Sequence, residues 1–425
     1  MGIRDAGETF AERQASEAGV VERHVPEPAR APPPPRPAPP PRNSLSVARP
    51  AHEVFDLPAP HVEEVRTREA FAALREDWNR LLPRAQNDQV FYRHELLSAW
   101  LANFAPAAPL RVLTARAPGG RLSAVLPLVE GRGLCAGVPV RTLRSPTNAH
   151  SCRFDLVAED APAAGAAFLQ HLQADPDWDL LRLDDVPHGG HAWSLQHAAE
   201  DAGLPVGSEP TQQSPYALLP GSVAELQAGW SKNLRAGVRR RMKRLEEHGP
   251  VEVEQVRGGP QLAARLAEGF ELERSGWKGH HGTAILQDPR TLGFYTQLAL
   301  DAAQAGYLSL YFLRSHGRAI AFDFALGYGR RYLSLKPAYD ERFAIFSPGQ
   351  LLTAATLEHL VGQGMEECDL LGHVTPAKQD WADRVRPHSR LLVFRASRLG
   401  RALSGARLRW LPSAKKAVGR WLWTR

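Results

Sequence analysis

The sequence predicts an α/β (α+β) fold: two tandem domains, each a mixed sheet flanked by helices, with a basic helical segment between them. Three observations lead there. The chain has 425 residues, 43% of them hydrophobic, too many for one ordinary domain and apolar enough for two cores. Helical and strand-like periodicities alternate along it instead of segregating. The order of elements in the first half also recurs in the second.

Residues 1–60 are expected to be disordered. Eight of the eleven residues from Ala31 to Pro41 are proline, which favours polyproline II and supplies no core. The segment reads as a spacer, with a ligand for a proline-reading domain as the other reading. The N-terminal domain, 61–221, opens at Thr67, which caps a helix carrying Phe71, Leu74, Trp78 and Leu81. Tyr92, Leu96, Trp100 and Phe104 mark a second helix. Strands follow at Arg111–Ala115 and Leu122–Glu130, around a Pro118-Gly119-Gly120 turn. A helix over Ala163–Leu172 leads to a strand over Asp179–Val186.

The segment 222–248 reads as one long helix from Ser222 to Glu247. Its apolar stripe is Leu226, Trp230, Leu234, Val238 and Met242, with Lys232, Arg235, Arg239 and Lys243 along another face. Lys232 to Arg244 holds seven Lys/Arg and no acid. Such a row is a solvated arm unless an anion neutralises it. A phosphate of a nucleotide-linked or lipid-linked acceptor is the expected anion, making Arg235 and Arg239 candidate substrate-binding residues. No interleaved aromatics support nucleic-acid stacking, so RNA ranks below phosphate.

The C-terminal domain, 249–394, repeats the pattern. A strand over Val251–Val256 precedes helices over Gln261–Arg274 and Phe294–Gln304, then strands over Leu308–Leu313, Arg318–Gly327 and Arg330–Pro337. After the last strand, Ser347 is placed to cap a helix, with Pro348 at its first position and Gly349 leaving room for close backbone approach. Gly364 ends that helix and the run Glu367–Leu371 begins a strand. A helix opening just after a strand offers unpaired N–H groups and a positive dipole end, a seat for a pyrophosphate such as that of coenzyme A. Ser347, Pro348, Gly349 and Gln350 are therefore candidate cofactor-binding residues or an ordinary helix start.

Arg384 to Arg425 carries 12 Lys/Arg and no acid, which exceeds the whole net charge of +6. The folded body is therefore acidic overall. Within the tail, 395–425, Leu399, Leu403, Leu408, Trp410, Leu411, Trp421, Leu422 and Trp423 interleave with nine bases. That composition is an interfacial amphipathic one, suited to an anionic membrane surface, or else a basic tail that is disordered or packed on the body. No apolar run spans a bilayer and the N-terminus has no apolar leader pattern, so a cytoplasmic protein is expected. Cys135, Cys152 and Cys368 form neither a disulfide framework nor a zinc site, and no metal is assigned.

The ordered set Ser214-Pro215-Tyr216, WSKNLRAGVRRRMKRLEEHG, SGWKG, GRAIAFDFAL, YDERFAIFSPGQLL, ECDLLG and Lys378 with Trp381 resembles the CelD-type acetyltransferases of the GNAT superfamily, associated with cellulose and exopolysaccharide synthesis. It is also similar to the Fem-type peptidoglycan aminoacyltransferases, which carry two GNAT-like halves. The resemblance covers roughly 65–385. It implies two tandem GNAT-like domains and acyl transfer from a thioester or aminoacyl donor to an amine or hydroxyl. The acceptor it implies is a sugar-amine, nucleotide-linked or lipid-linked molecule. FSPGQ stands where ordinary GNAT enzymes carry a glutamine-rich or arginine-rich pyrophosphate loop. The rival readings are a tRNA-dependent aminoacyltransferase and a non-catalytic recruitment module.

Acyl transfer needs a base and donors for the tetrahedral oxyanion. Asp340 lies where the last strand runs into the candidate anion loop, as a base or as a turn residue beside Tyr339. Asp323 interrupts the apolar run AFDFAL. Alternation puts it on a face with Ala321 and Ala325, near Ser334 and Lys336 across the hairpin, as a cleft floor or an exposed sheet face. Lys378 and Trp381 match a Lys-x-x-aromatic motif in the relatives, where the lysine lies near donor or acceptor. Trp277 and Lys278 are a candidate acceptor lip or an ordinary loop.

Overall fold

The computed structural model describes residues 61–276 and 282–410. The readings for 1–60, for Trp277 and Lys278, and for the tail beyond Trp410 fall outside the described residues. The strands are β1 (Val62–Val65), β2 (Leu110–Arg116), β3 (Leu122–Cys135), β4 (Val138–Arg144), β5 (Val157–Ala158), β6 (Leu180–Pro187), β7 (Val206–Leu218), β8 (Val251–Val256), β9 (Leu308–Ser315), β10 (Arg318–Tyr328), β11 (Arg331–Tyr339), β12 (Glu367–Asp369) and β13 (Arg384–Phe394). The helices are α1 (Arg68–Ala73), α2 (Arg75–Leu81), α3 (His94–Phe104), α4 (Ala161–Ala174), α5 (Ala192–Asp201), α6 (Val223–Gly229), α7 (Lys232–Glu246), α8 (Leu262–Ser275), α9 (Pro289–Gln304), α10 (Pro348–Gly362), α11 (Pro376–Gln379) and α12 (Arg398–Gly405).

The strands form one sheet in the order β1-β2-β3-β4-β6-β13-β7-β12-β11-β10-β9-β8, with β5 also on β3. Its two halves have matching pairings. In the first, β1 to β4 are antiparallel neighbours, β4 meets β6 in parallel, and β6 meets β13 antiparallel. In the second, β8 to β11 are antiparallel neighbours, β11 meets β12 in parallel, and β12 meets β7 antiparallel. The halves therefore exchange their last strands: β7 completes the second half, β13 completes the first, and the two pair with each other at the centre.

Strand alternation sorts the apolar side chains by face. On one face α1–α3 from the first half and α8 and α9 from the second share a continuous core, which includes Trp78, Trp100, Phe270, Phe294, Phe322 and Phe324. The other face holds two separate cores. Phe168, Trp178 and Leu195 pack under α4 and α5. Leu226, Trp230, Leu234, Leu351 and Leu357 pack under α6, α7 and α10.

The basic segment departs from the single helix expected. Trp230 is extended (ψ 147) and ends α6, and the Ser231 hydroxyl accepts from Leu234 N–H to start α7. The predicted apolar stripe packs inward on both pieces. The tail is also corrected in part. Leu403 and Leu408 pack on the body against Cys135, Val140 and Phe394, and Arg407 donates to Glu209. Leu403 is buried by the protein and Leu408 is half-buried against it. Among the described residues no helix is long and apolar enough to cross a membrane.

At the centre, four chain segments meet on one carboxylate. Asp369 ends β12 and is fully buried. It accepts from Ser214 Oγ on β7 at 2.8 Å, from Leu371 N–H at 2.9 Å, from Arg153 of the first half and from Arg386 on β13. Arg386 also donates to Glu367 and lies over the Tyr216 ring. Burial would raise the Asp369 carboxyl, but Arg153 and Arg386 hold it below the usual range. Asp369→Asn leaves the buried Arg153 guanidinium uncompensated and the half-buried Arg386 with Glu367 alone, and should cost about 3–5 kcal/mol in urea unfolding. A cost under about 1 kcal/mol would show that the cluster is not what locks the exchanged strands.

His388, buried on β13, is pushed down to about 4, first by burial and then by the Arg153 charge. Between that value and its ordinary 6.5 the unfolded chain binds a proton that the folded chain refuses. Its contribution is therefore complete above the ordinary value and is lost as pH falls toward 4. His388→Gln should flatten the acid limb of a stability–pH curve by up to about 3 kcal/mol relative to the native chain.

Candidate functional site

The two halves differ where their parallel strands meet. The β11–β12 ladder stops at Leu333 opposite Asp369, yet β11 continues on β10 to Tyr339. From Ser334 to Tyr339 it makes no rung with β12. In the first half the same edge is broken in two. β4 lies on the later part of β3 and β5 on its earlier part, with residues 145–156 leaving the sheet between them. That excursion fills its own half's gap and reaches across the molecule. It supplies Arg153 to Asp369 and brings His150 to Tyr295 on α9, with Nδ1 3.3 Å from the hydroxyl.

The helices entering these gaps differ in the same sense. Asp160 caps α4, its carboxylate accepting from Ala163 N–H at 3.0 Å. The first half's helix start is thus already occupied by an anion. Ser347 precedes α10 but does not cap it as expected. It lies in the left-handed region (φ 51, ψ 57) and its hydroxyl makes no capping bond. The geometry turns the chain sharply from the short helix Glu341–Phe346 into Pro348 and leaves the first turn of α10 to other partners. Gly349 sits beside the Tyr339 ring. Gln350 accepts from Arg241 of α7, a link the sequence reading missed. Arg235 and Arg239 lie exposed on α7, and Arg244 stacks over Phe346.

The candidate catalytic residues are placed differently from one another. Asp340 is buried as the cap of the Glu341–Phe346 turn; its carboxylate accepts from Arg342 N–H, from the Arg342 guanidinium and from Arg318. Asp323 faces α10 with Ala321 and Ala325, as alternation predicted, and accepts from Tyr332 OH and Ser334 Oγ, each at 3.0 Å. Its expected neighbour Lys336 is not there. A bulge places Ala325 opposite Ser334 and Phe324 opposite Lys336, with Leu335 as the extra residue. The bulge sends Lys336 through to the opposite face of the sheet. There its ammonium is 3.7 Å from the buried Glu273 carboxylate of α8 and 5.6 Å from the Tyr295 ring centre. Burial pushes the phenols of Tyr295 and Tyr332 well up. Lys378 donates to the carbonyls of Leu371 at 2.6 Å and His373 at 3.3 Å, tying the loop after β12. Trp381 meets the Trp230 ring edge-on at 5.4 Å. Tyr339 is partly exposed at the end of β11.

Glu273, Tyr295 and His150 were not singled out in the sequence, and Lys336 was named only as a neighbour of Asp323. Glu273 and Lys336 lie some sixty positions apart, and only the bulge turns them toward each other. Among the described residues no group of His, Cys, Asp and Glu is arranged to hold a metal ion.

The architecture is that of two α/β halves with matching strand pairings in one mixed sheet flanked by helices, with a basic helical segment between them. Residues 232–379 match the family model described as an acetyltransferase (GNAT) domain. The crystal structure of FemX superposes with a TM-score of 0.54 at 10% identity, covering 80% of this chain and 100% of that one. At that identity the match establishes fold alone. The C-terminal domain of a putative lysylphosphatidylglycerol synthetase from Agrobacterium fabrum aligns with a TM-score of 0.46 at 13% identity, over 78% of this chain and 95% of that one. A tandem GNAT protein from the clavulanic acid biosynthesis pathway aligns with a TM-score of 0.42 at 14% identity, over 78% and 98%. A search of curated protein sequences found no match.

A non-glycine residue in the left-handed region costs about 1 kcal/mol. Ser347→Gly should therefore raise the unfolding free energy by a few tenths to about 1 kcal/mol, the looser unfolded chain offsetting part of the gain. A clear loss in urea titration would reveal a structural duty for the hydroxyl.

Proposed function

We propose that this chain is an acyltransferase that takes an acyl group from acyl-CoA in its second half and passes it to an amine or hydroxyl. One observation carries the reading: β11 runs on past its last rung with β12 toward a helix start that no side chain among the described residues caps. An extended arm with amide groups can follow a strand beyond its last rung, and a pyrophosphate suits the N-terminus of α10. In this reading Gly349 and the first turn of α10 hold the pyrophosphate, and Arg241 fixes Gln350 beside it. Asp340, engaged by Arg318 and Arg342, orders the loop rather than taking a proton. Asp323 orients Ser334 where the β12 ladder ends. Arg235 and Arg239 offer charge to a phosphate-bearing acceptor. The sequence resemblance puts that acceptor in exopolysaccharide or cell-envelope synthesis.

The test uses the close approach that glycine permits. A Cβ at Gly349 would make only ordinary contact with Tyr339, so Gly349→Val should fold. The native chain should bind acetyl-CoA in calorimetry and gain thermal stability from it, and the variant should lose at least tenfold in affinity. Equal affinity in the two proteins would move the donor elsewhere. Absence of binding to both would favour an aminoacyl-tRNA donor or a recruitment module.

A further inference from the structure

We infer that the outer end of the first half is a peripheral membrane-contact surface. The tip of the β3–β4 hairpin and the exposed side of α12, with the basic segment that follows it, meet an anionic lipid bilayer together. The surface is independent of the acyl-transfer reading above.

The first observation is how far the hairpin reaches. Thr142 of β4 lies level with Leu180 of β6, and Leu180 with Phe394, the last residue of β13. The hairpin turns four residues earlier, at Val138, so its tip stands about 13 Å beyond that end of the sheet. Cys135 pairs with Val138 around Ala136 and Gly137, both left-handed with φ of 51 and 81. That is a tight two-residue connection, which keeps the strands paired to their ends.

The second is what the tip shows to solvent. Leu134 is 67% exposed and Val138 39%. Leu134 shares one face of the hairpin with the exposed Pro139, and Val138 lies on the other, so the tip is apolar on both sides. From Gly131 to Arg144 the hairpin has three arginines and no acid. One exposed leucine on a flat surface needs no explanation. A leucine on a projecting tip, with a valine, a proline and a cationic base, has the form of a wedge for the headgroup boundary.

The third is what lies beside the tip. Cys135 is buried in one cluster with Val140, Phe394 and Leu403, which ties the hairpin to α12. While Leu403 turns onto the body, Leu399 stays 43% exposed between the exposed Arg398 and Arg401. Leu408 occupies the space over Gly207, which is level with Leu392 at the same end of the sheet. Residues 411–425 therefore start from this end. They carry Lys415, Lys416, Arg420 and Arg425 with Trp421, Leu422 and Trp423, and no acid. Asp177 and Asp179, which precede β6 here, are taken up by Arg141.

The charge selects an anionic partner, since basic groups near an anionic leaflet are drawn to it within a Debye length. The apolar tip selects a bilayer over a phosphate polymer. A polyanion engages the arginines and leaves Leu134 in water, so the tip is the place to test.

The three native cysteines are buried, so Leu134→Cys in the full chain can be labelled at the tip with an environment-sensitive fluorophore. Leu300→Cys, at an exposed position of α9, serves as the control. At low salt the native chain should sediment with vesicles of phosphatidylglycerol and phosphatidylcholine and not with phosphatidylcholine alone. On the anionic vesicles the tip label should shift to the blue and be quenched by lipids spin-labelled in their acyl chains, and the α9 label should do neither. Leu134→Glu should keep the native unfolding midpoint and lose about tenfold in vesicle partitioning. Equal sedimentation with both vesicle types overturns the surface. So does sedimentation with the tip label still in water, which is the outcome a purely ionic contact gives. Either result leaves the acyl-donor site untouched.

Discussion

The buried carboxylate of Asp369 is the point on which the architecture turns. It stands at the apex where β11 and β12 part, and its ligands come from β7, from β13 and from the first half's excursion. A charge taken wholly out of water is tolerated only when it is paired and hydrogen-bonded. Satisfying Asp369 therefore requires both exchanged strands to be in place and residues 145–156 to have crossed over. The same contacts fix where the parallel ladder ends, because its last rung is Asp369 itself. Stability of the seam and shape of the candidate site are set by one group.

The two halves pair their strands alike but differ where their parallel strands meet. In the first half the strand that would border the cleft is interrupted, the interruption fills the space, and Asp160 occupies the helix start. In the second half the strand runs through, the helix start is uncapped, and a basic helix lies alongside. The filled half is not idle. Its excursion delivers Arg153 to the seam and His150 to the surroundings of Tyr295. Its helices α1–α3 share a core with α8 and α9. The first half has become scaffolding for the face of the sheet on which Glu273 and Lys336 meet.

Much of this was legible in the sequence, for identifiable reasons. The long antiparallel strands of both halves announce themselves by apolar runs and glycine turns, and the apolar stripe of α6 and α7 by its spacing. The face of Asp323 followed from alternation alone. The exchanged strands did not show. β7 contains Pro210 and Pro215, and β13 contains Pro387 among arginines and a histidine, so neither carries the apolar alternation of a strand. They are sheet members because of what they pair with, not because of their own propensity. The bulge at Leu335 was equally silent, since one extra residue reverses facing without changing composition. That is why Ser334 was placed correctly and Lys336 was not. The position of Ser347 was legible but not its backbone, because a serine before a proline reads as a cap whatever its φ.

The strand exchange also governs how the chain comes into being on the ribosome. β6 pairs with β13, some two hundred residues later. Until that last strand is synthesised, the first half has an unfilled edge and the seam lacks Arg386. β7 likewise waits for β12 before it has a neighbour on that side. Neither half can therefore close as an independent unit during synthesis, and the loop closures involved are long and slow. An unpaired strand edge exposed for that interval invites pairing with other chains. The interlock that makes the finished sheet continuous thus requires a nascent chain that is kept from its neighbours until β13 has emerged.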